Sequence, residues 1–425
     1  MIRRSGRWGL RLGETANEGA AEYGKPLDGV RVLAVEQMQA LPYSTQLLAR
    51  LGAEVVKVEH PVHGESGRAS RPQMLDPEGR GCGATFLRNN LDKRSLGIDL
   101  KTERGRALLL GLIRRFDIFA ENFKPGTMDR LGLGYAVVSG VHPAVIYLSV
   151  SGFGNLVESP YKDWPAYAPI VEAMSGILSY KLTPDQAPLI GPAGALGDIS
   201  SAMFGVIGTL AALIHRDRTG QGQWVDVAML DSMISMGDVV TNLWSLGVRP
   251  DPSTRAPLIV QAFKAKDGFF VIQVIREHQF DKLADAIGHP EWKDDPRFAD
   301  RTGWVNHLDD VIRPAIEEWA APRTKQQACE DLTACGVAAG PSNFAPDVIH
   351  DPHVAARKML VEMERTDGVD EPVLIPGNPV KMSKVMEGPE TRVPWVGEHT
   401  EEILSAELGL DAGTLADLRG QGVIN

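Results

Sequence analysis

The alternation of short apolar runs with amphipathic segments in the first 150 residues constrains the fold most. Residues 30–35 predict a strand, residues 43–51 a helix that ends at Gly52, and residues 54–58 a second strand. The same rhythm continues with predicted strands at 95–100, 117–123 and 145–151 and a helix at 103–115. Strands and helices that alternate in this way predict an α/β fold with a parallel sheet covered on both faces.

Prolines at 250, 252 and 257 interrupt this periodicity, and we interpret 248–258 as a linker. A strand at 268–274 and helical segments at 277–288, 307–321 and 325–335 then predict a smaller α/β or α+β domain. The predicted organisation is a loosely ordered extension at 1–24, a large domain beginning at 25–247, the linker, a small domain at 259–340, a second linker at 341–352 and a return to the large domain at 353–425. In that last part a strand is expected at 373–375 and a helix at 411–419.

Composition excludes several classes of function. The net charge of −11 argues against a nucleic-acid surface. We find no run of about 18 apolar residues that would span a membrane, and the first 24 residues lack the apolar core of a secretory signal. Cys82, Cys329 and Cys335 form neither a disulfide framework nor a zinc ligand set. These observations favour a reducing cytoplasm.

The junction Gly197-Asp198 before a long helical pattern is the strongest candidate site. Helical periodicity dominates 199–217 and 225–247. Apolar residues at steps of three and four predict one buried stripe on the first of these helices: Ile199, Met203, Val206, Ile207, Leu210, Leu213 and Ile214. A carboxylate at the helix N-terminus accepts backbone N–H bonds and is stabilised in its ionised form by the helix dipole. Asp198 is therefore either a helix cap or a reactive anion.

Other polar residues lie where α/β proteins bind ligands. Gln39 follows the first predicted strand, in a turn that lacks the G-x-G-x-x-G pattern of dinucleotide sites. The histidine pairs at 60 and 63 and at 350 and 353 straddle proline in loop-like sequence, so we predict no metal site. Basic side chains near the predicted strand ends are typical of a phosphate-bearing ligand. They are His60, Arg68, Arg71, Lys93, Arg94, Lys124 and Arg130.

Short motifs follow one another in a defined order from residue 26 to the C-terminus. They are PLDGVRVL at 26–33, LGAEVVKVE at 51–59, NLDKRS at 90–95, ENFKPG at 121–126, RLG at 130–132, SVSGFG at 149–154, GD at 197–198, RTGQGQ at 218–223 and GEHT at 397–400. In these motifs the chain resembles the family III CoA-transferases, the CaiB/BaiF family. That family includes formyl-CoA transferase, carnitine CoA-transferase and the α-methylacyl-CoA racemases.

The resemblance implies a Rossmann-like large domain built from both ends of the chain, a small domain between two linkers, and an interlocked homodimer. It implies acyl-CoA and small carboxylic acids as substrates, with no tightly bound cofactor, metal, nucleic acid or membrane partner. By resemblance the catalytic residues are Asp198 and Gln39. The positions that would contact CoA are Asn122, Phe123 and Arg130, with His60, Arg68, Lys93 and Arg94 as weaker candidates for its phosphates.

The resemblance also implies a mechanism in which Asp198 forms a mixed anhydride with the donor acyl group and then a thioester with CoA. Two alternatives stay open: a racemase, and a CoA-binding protein without catalysis. Tyr167 stands where the racemase branch has a histidine, and a phenol is a weak base near neutral pH, which favours transfer. Tyr167 is then expected either to contact the acyl group or to pack against the small domain.

The identity of the acyl group is open. The glycine-rich loop with which formyl-CoA transferase covers its active site has no counterpart in 240–275. This difference counts against formate and oxalate and leaves larger or dicarboxylic acyl groups, including succinyl-CoA as donor. The sequence assigns no role to residues 1–24.

Overall fold

The computed structural model describes residues 8–180, 182–183, 185–191, 194–237, 240–249 and 256–425. The described residues form two compact units. One contains those of Met1–Tyr180, Pro188–Val248 and Pro352–Asn425, and the other those of Lys181–Ala187 and Arg249–Asp351. The chain thus leaves the first unit and returns to it. Residues 250–255 of the predicted linker and residues 1–7 of the predicted extension lie outside the described residues.

The strands and helices are short and alternate through most of the chain. The strands are β1 (Leu10–Arg11), β2 (Arg31–Val35), β3 (Glu54–Glu59), β4 (Gln73–Leu75), β5 (Gly81–Gly83), β6 (Lys93–Gly97), β7 (Ile118–Glu121), β8 (Ile146–Ser151), β9 (Gln223–Ala228), β10 (Ile259–Ala265), β11 (Gly268–Val274), β12 (Ala338–Pro341), β13 (Leu360–Met363) and β14 (Val373–Pro376). The helices of the first unit are α1 (Ala40–Arg50), α2 (Ala84–Asn89), α3 (Glu103–Ile113), α4 (Thr127–Arg130), α5 (Tyr135–Val141), α6 (Ala168–Met174), α7 (Leu196–Thr219), α8 (Met229–Met236) and α9 (Val240–Ser245), followed after the second unit by α15 (Pro352–Ala356), α16 (Thr400–Leu408) and α17 (Ala412–Gly420). Those of the second unit are α10 (Glu277–Ile287), α11 (Arg301–Asn306), α12 (Arg313–Ala320), α13 (Lys325–Ala334) and α14 (Ala345–Ile349), and a π-helical turn (Leu308–Ile312) precedes α12.

The first unit is built on a parallel sheet with the strand order β6-β3-β2-β7-β8-β9. From β2 the chain builds outward through β3 and β6 on one side, and then through β7, β8 and β9 on the other. The order therefore reverses between β2 and β7. Ligands of open α/β sheets bind at such a switch point, outside the carboxyl ends of the strands.

Successive side chains along each central strand point to opposite faces of the sheet, so the core is divided into one cluster on each face. On β2, Leu33 and Val35 pack with α3, α16 and α17 in one cluster, whereas Val32 and Ala34 pack with α1 and α7 in the other. All four side chains are buried, as expected for a parallel strand covered on both faces. The mixed α/β fold predicted from the sequence is therefore present.

The second unit has a core of its own. Its antiparallel strands β10, β11 and β12 pair in that order. Alternate residues of β10 and β11 point inward and pack against α10, α12 and α13. Strand β10 was not predicted. Its alternating inward and outward residues begin directly after the proline-rich segment, which was interpreted as a linker.

Two predictions about local structure are wrong. Residues 8–24 are not loosely ordered, since β1 pairs in parallel with β13 and a 3₁₀ helix covers Glu18–Tyr23. Residues 225–228, the start of the second predicted helix, are not helical but belong to β9, the strand beside β8. The sequence Gln-Trp-Val-Asp-Val-Ala places two apolar residues after each polar one, so it lacks the period-two alternation that would mark a strand.

Helix α7 packs mainly through its small residues, and only part of the predicted apolar stripe faces the core: Leu213 is buried, and Val206 and Leu210 pack against the core. Its buried residues are Gly197, Ser200, Ser201, Ala202, Gly205, Thr209, Ala212 and Leu213. Met203, Ile207 and Ile214 are exposed, Ile207 by 60%. Small side chains let α7 approach closely: a Cβ atom on Gly208 would lie 2.6 Å from Val225 Cγ1.

By length and mean hydropathy (1.6 over 18 residues) α7 also meets the criteria for a membrane span, although polar residues interrupt it and it is not a continuous apolar run. Of this apolar window 44% is buried in the protein. The helix packs against α1, α6, α8 and strands β8 and β9. A core helix of an α/β fold has the same length and composition.

Candidate active site

The turn between β2 and α1 forms one wall of the switch point, and side chains from two other segments hold its shape. Asn122, directly after β7, accepts a hydrogen bond from the Gln37 N–H at 2.9 Å and donates one to the Gln37 carbonyl at 2.9 Å. Met38 has a left-handed backbone (φ 63°), and its N–H donates to Glu65 Oε2 at 2.9 Å. Gln39 is the N-cap residue of α1. The turn is therefore preorganised without glycine.

Asp198 lies on the opposite wall, as the third residue of α7. The helix begins at Leu196, and Ala195 is its N-cap residue. Within the described part of the chain the Asp198 carboxylate has neither a hydrogen bond nor an ion pair. Burial, and after it the negative charge of Glu172, raise the pKa of Asp198 to about 6.

The expectations that Asp198 caps the helix and that the helix end favours its ionised form are therefore wrong. At the third position the carboxylate does not accept the free N–H groups of the first turn. Its burial and the neighbouring Glu172 instead act against the ionised form. The group is still mostly ionised at neutral pH.

Asp198 opens into a cavity of about 650 Å³, which we call the Asp198 cavity. Its lining combines the β2–α1 turn, the residues after β7 and β8, and the start of α6 and α7. The lining includes Gln37, Gln39, Ser66, Asn122, Phe123, Lys124, Lys162, Tyr167 and Asp198. The structure thus brings Asp198, Gln39, Asn122, Phe123 and Tyr167 together.

Two of these predicted residues differ from the expectation in their surroundings. The amide of Asn122 is already engaged by the Gln37 backbone, so it shapes the turn as well as lining the cavity. Tyr167 is the N-cap residue of α6, and 69% of its surface is exposed. It lies at the cavity rim.

A second cavity of about 430 Å³, the His60 cavity, shares Gln37, Ser66 and Phe123 with the first. Its lining includes His60, Lys101 and Arg130, together with the apolar side chains of Ile98, Leu100 and Leu131. His60 Nδ1 accepts hydrogen bonds from the backbone N–H groups of residues 62 and 63 at 3.2 and 3.3 Å. Basic side chains and apolar surface therefore meet beside the Asp198 cavity.

Lys93 and Arg68 are not at either cavity, which corrects two predicted contacts to CoA. Lys93 Nζ is fully buried and donates to Glu36 Oε1 at 2.7 Å. Arg68 is buried with Nη2 2.6 Å from Glu59 Oε1. Burial alone would raise the pKa values of Glu36 and Glu59, but the cations next to them lower both. These pairs stabilise the fold and leave no positive charge for a phosphate.

Arg94 is also displaced from the predicted site. It is the second residue of β6 and pairs with Glu54 at 2.8 Å and Glu402 at 3.0 Å. This is the amino end of the strand, whereas the cavities lie at the carboxyl ends. The sequence could not distinguish the two ends, because the NLDKRS motif spans the start of a strand that was predicted at 95–100 and lies at Lys93–Gly97.

The sequence analysis missed Lys101 and Glu172. Lys101 follows the β6 strand and lines the His60 cavity. Among the described residues its ammonium has no ion-pair partner. Its position beyond a predicted strand end was a usable signal, because ligands bind outside the carboxyl ends of parallel strands. Glu172 carried no signal, since it lies in the middle of a short amphipathic helix.

The arrangement can support nucleophilic chemistry at a carboxylate. A half-buried anion without a cation faces a cavity that is large enough for an acyl group, and a neighbouring cavity offers basic side chains. The profile of CoA-transferase family III matches residues 27–400. The chain belongs to CoA-transferase family III.

Curated relatives of this family III chain are similar over nearly their whole length. The succinyl-CoA:mesaconate CoA-transferase of Haloarcula hispanica is 35% identical over 91% of this chain and 98% of its own. The succinyl-CoA–L-malate CoA-transferase beta subunit of Chloroflexus aurantiacus is 33% identical over 94% and 98%. The formyl-CoA:oxalate CoA-transferase of Streptomyces avermitilis is 32% identical over 94% and 100%.

A solved structure agrees with the fold of this family III chain. The crystal structure of a CaiB/BaiF family protein from Brucella suis superposes with a TM-score of 0.80 and 32% sequence identity, covering 90% of this chain and all of the other. The predicted resemblance is confirmed. Together with the named activities of the relatives, it supports CoA transfer and CoA thioesters as substrates.

Proposed function

We propose that the protein moves CoA from an acyl-CoA donor to a carboxylic acid acceptor by covalent catalysis at Asp198. The observation that carries the proposal is the Asp198 carboxylate, which faces the Asp198 cavity with no partner among the described residues. The other buried carboxylates of the switch region, Glu36, Glu59, Glu65 and Glu121, all have cations or backbone N–H donors as partners. Among the described residues of this region, Asp198 is the carboxylate without such a partner.

In the proposed cycle the Asp198 carboxylate attacks the thioester carbon of the donor, and CoA leaves as the thiolate. The thiolate then attacks Cγ of the resulting mixed anhydride and releases the donor acid, which leaves an aspartyl-CoA thioester. An acceptor carboxylate enters and the steps run in reverse. The cycle needs donors for the oxyanions that form. We assign this role to the Gln39 amide, because the Gly197 N–H at the start of α7 already donates to Glu172.

We propose that CoA extends from the Asp198 cavity past Phe123 into the His60 cavity. His60, Lys101 and Arg130 then contact its phosphates, and the apolar residues of that cavity contact its base. The support is the shared lining residue Phe123 and the basic groups beyond it. This assignment replaces Lys93, Arg68 and Arg94 with Lys101.

We propose succinyl-CoA as donor and a dicarboxylic acid as acceptor. Two relatives are named for succinyl-CoA with mesaconate or L-malate. The lining of the Asp198 cavity includes Lys124 and Lys162, of which Lys162 also pairs with the exposed Glu158 at 3.3 Å. Lysine side chains suit the distal carboxylate of such an acyl group. A panel of acyl-CoA donors and acceptor acids, read by chromatography, tests this assignment. Preference for monocarboxylic acids would contradict it.

The test of the mechanism is chemical trapping. We expect incubation with succinyl-CoA followed by hydroxylamine or borohydride to modify Asp198, as located by mass spectrometry of peptides. Asp198→Ala should show no modification and no turnover. Asp231→Ala is the matched control, because Asp231 also lies in the first turn of a helix but outside the cavity lining. Tight CoA binding by wild-type protein that shows neither turnover nor modification would indicate a binding protein instead.

We also propose a cytoplasmic homodimer with interlocked subunits. The exposed apolar side chains of Met203, Ile207 and Ile214 on α7 support an interface. The return of the chain to its first unit is compatible with interlocking. The free thiols of Cys82, Cys329 and Cys335 suit a reducing compartment. We expect light scattering to give a dimer mass for wild type and a smaller mass for Ile207→Asp.

A further inference from the structure

The Glu172 carboxylate lies fully buried between α6 and the start of α7. Its Oε1 atom accepts a hydrogen bond from the Gly197 N–H at 3.1 Å. Its Oε2 atom is buried without a hydrogen-bond partner. Within the described part of the chain no cation pairs with it. Glu172 is therefore a buried acid with one oxygen hydrogen-bonded and the other without a hydrogen-bond partner. It contacts Gly197, the residue before Asp198.

A purely structural role does not explain the charge. Glutamine would accept the same hydrogen bond from Gly197 without bringing a buried negative charge. Burying a carboxylate without a cation is costly, and elsewhere in this unit the buried Glu36 and Glu59 have Lys or Arg partners. The charge itself therefore needs a role, and the carboxylate whose pKa it raises is Asp198, the residue after the Gly197 that Glu172 contacts.

Close packing brings the two acids together. A Cβ atom on Gly197 would lie 2.8 Å from Val171 Cγ2 and 3.1 Å from the Ala168 Cα atom, so only glycine lets α7 begin this close to α6. The Gly197 N–H then reaches Glu172, and Asp198 follows on the same turn. The electrostatic effect appears in the raised pKa of Asp198, to which Glu172 contributes after burial.

We propose that Glu172 is a positioning residue for the transfer reaction: it anchors the first turn of α7 and keeps a negative charge beside Asp198 that directs how the mixed anhydride breaks down. The inference rests on the proposed function of Asp198. It adds a residue that touches no substrate and acts through Asp198 alone.

The direction follows from the two ways in which the anhydride can react. Attack of the thiolate sulfur on the Asp198 Cγ breaks the bond from Cγ to the bridging oxygen, and the electron pair leaves with the substrate carboxylate. Attack on the substrate carbonyl instead expels the Asp198 carboxylate and regenerates the donor thioester. No proton or redox change is involved in either step. The less basic carboxylate leaves more readily, so a negative charge that makes Asp198 more basic favours forward transfer.

Few other charges act on this pair. The titratable side chains on the elements packed against α6 and α7 are Tyr43 and Arg50 on α1, Tyr147 on β8, Asp226 on β9 and Asp231 on α8, and Lys124, Lys162 and Tyr167 line the cavity. Of these charges, none is among the causes of the Asp198 shift, which are burial and Glu172. Neutralising Glu172 should therefore change the titration of Asp198 directly.

The test compares wild type with Glu172→Gln, which keeps the acceptor for Gly197 and removes the charge. We expect the acid limb of the pH profile of kcat/KM to move down by about one pH unit. We expect kcat near pH 7.5 to fall about fivefold, because the anhydride then reverts more often. Glu362→Gln is the matched control: Glu362 is also buried and accepts the Gly9 N–H at 3.1 Å, but it lies in the β1–β13–β14 sheet. Its acid limb should equal that of wild type.

If Glu172→Gln does not fold, the same pH profile of kcat/KM is measured on Glu172→Asp. It keeps the charge but withdraws it by one methylene group, so we expect a smaller shift in the same direction. An unchanged acid limb in either folded variant overturns the inference. Trapping of Asp198 in wild type separates the two failures: a labelled Asp198 with an unchanged limb overturns the role of Glu172 alone, whereas an unlabelled Asp198 overturns the proposed function and this inference with it.

Discussion

Asp198 and Glu36 are both carboxylates withdrawn from solvent at the switch region, and they have opposite surroundings. Glu36 accepts hydrogen bonds from Lys93 at 2.7 Å and from Thr45 at 2.7 Å, with Lys57 at 3.4 Å. Asp198 has no cation beside it among the described residues, and its charged neighbour Glu172 is negative. The pKa of Glu36 is lowered and that of Asp198 is raised. A compensated charge is part of the fold, whereas an uncompensated one at a cavity is available for chemistry.

The same contrast explains why some predicted residues are misplaced. A basic motif near a strand end looks alike whether its cations meet a ligand or a buried carboxylate. Lys93 and Arg68 meet carboxylates of their own sheet, and Lys101 does not. A cation that folding places beside a buried carboxylate stabilises the fold. A cation without such a neighbour is available to bind a ligand.

The largest effect is expected for Asp198→Ala. Removing the nucleophile should lower kcat by at least about 10⁴-fold, while the urea unfolding midpoint stays within the range of wild type because no partner is left unpaired. Steady-state turnover and a urea titration test both parts. Asp198→Asn is a less reliable variant, since slow deamidation would restore the carboxylate. Turnover near the wild-type rate in Asp198→Ala would show that Asp198 is not the nucleophile, and the contrast with Glu36 would fail.

Lys93→Met should have the opposite effect to Asp198→Ala: a large loss of stability and little change in substrate binding. The substitution leaves the Glu36 carboxylate buried with only Lys57 as a cation, which costs about 3–5 kcal/mol in the free energy of unfolding. Urea denaturation followed by circular dichroism measures the loss. Protein that remains folded should bind acyl-CoA with nearly unchanged KM, because Lys93 lines neither cavity. A selective rise in KM without loss of stability would restore Lys93 to the site.

Acidification should separate activity from folding. Since Asp198 must be ionised to attack and its pKa is about 6, kcat/KM should fall about tenfold between pH 7 and pH 5. The pKa values of Glu36 and Glu59 are lowered from 4.5, so their contribution to stability is present above about pH 4.5 and is lost only as the pH falls below it. Activity and the unfolding midpoint, measured across this range, should therefore separate. Parallel loss of both would contradict the assignment.

Lys101→Met should weaken CoA binding without affecting the nucleophile. Losing one charged contact to a phosphate should raise KM for acyl-CoA about tenfold and change kcat by less than about twofold. Initial rates with and without added salt provide the check, because a phosphate contact also weakens with ionic strength. Loss of kcat at unchanged KM would assign Lys101 to the chemistry instead.

Arg94→Ala should have the smallest effect. Its pairs with Glu54 and Glu402 are partly exposed, with 28% of the Arg94 side chain accessible, and such pairs contribute about 0–1 kcal/mol. We expect the unfolding midpoint to change slightly and KM for acyl-CoA to stay within about twofold of wild type. A larger rise in KM would place Arg94 near the ligand after all.

Much of the fold was predictable because it depends on local periodicity. The strands at β2, β3, β7 and β8 and the helix α3 lie within a few residues of their predicted bounds. The errors come from long-range pairing. Strand β1 exists because β13, about 350 residues away, accepts it in register, and β9 is a strand because β8 has a free edge. No pattern within either segment carries that information.

The amphipathic pattern of α7 is the clearest case of a local signal with an unexpected outcome. Its spacing predicted a helix, and the helix is present at Leu196–Thr219. The predicted direction of packing holds for only part of the stripe, since Leu213 is buried together with glycine, serine and alanine, whereas Ile207 and Ile214 are exposed. Close approach to α1 and β9 requires small side chains, and this requirement overrides hydrophobicity in choosing the buried face.

The sequence by itself determined the α/β class, the family and the residue types available for chemistry, because periodicity and motif order survive without coordinates. Only the tertiary structure decided which charges are free. Folding places Glu172 beside Asp198 and Lys93 beside Glu36 from distant parts of the chain. Burial and charge pairing act through space, so the protonation and the reactivity of a carboxylate depend on neighbours that the linear order of residues does not reveal.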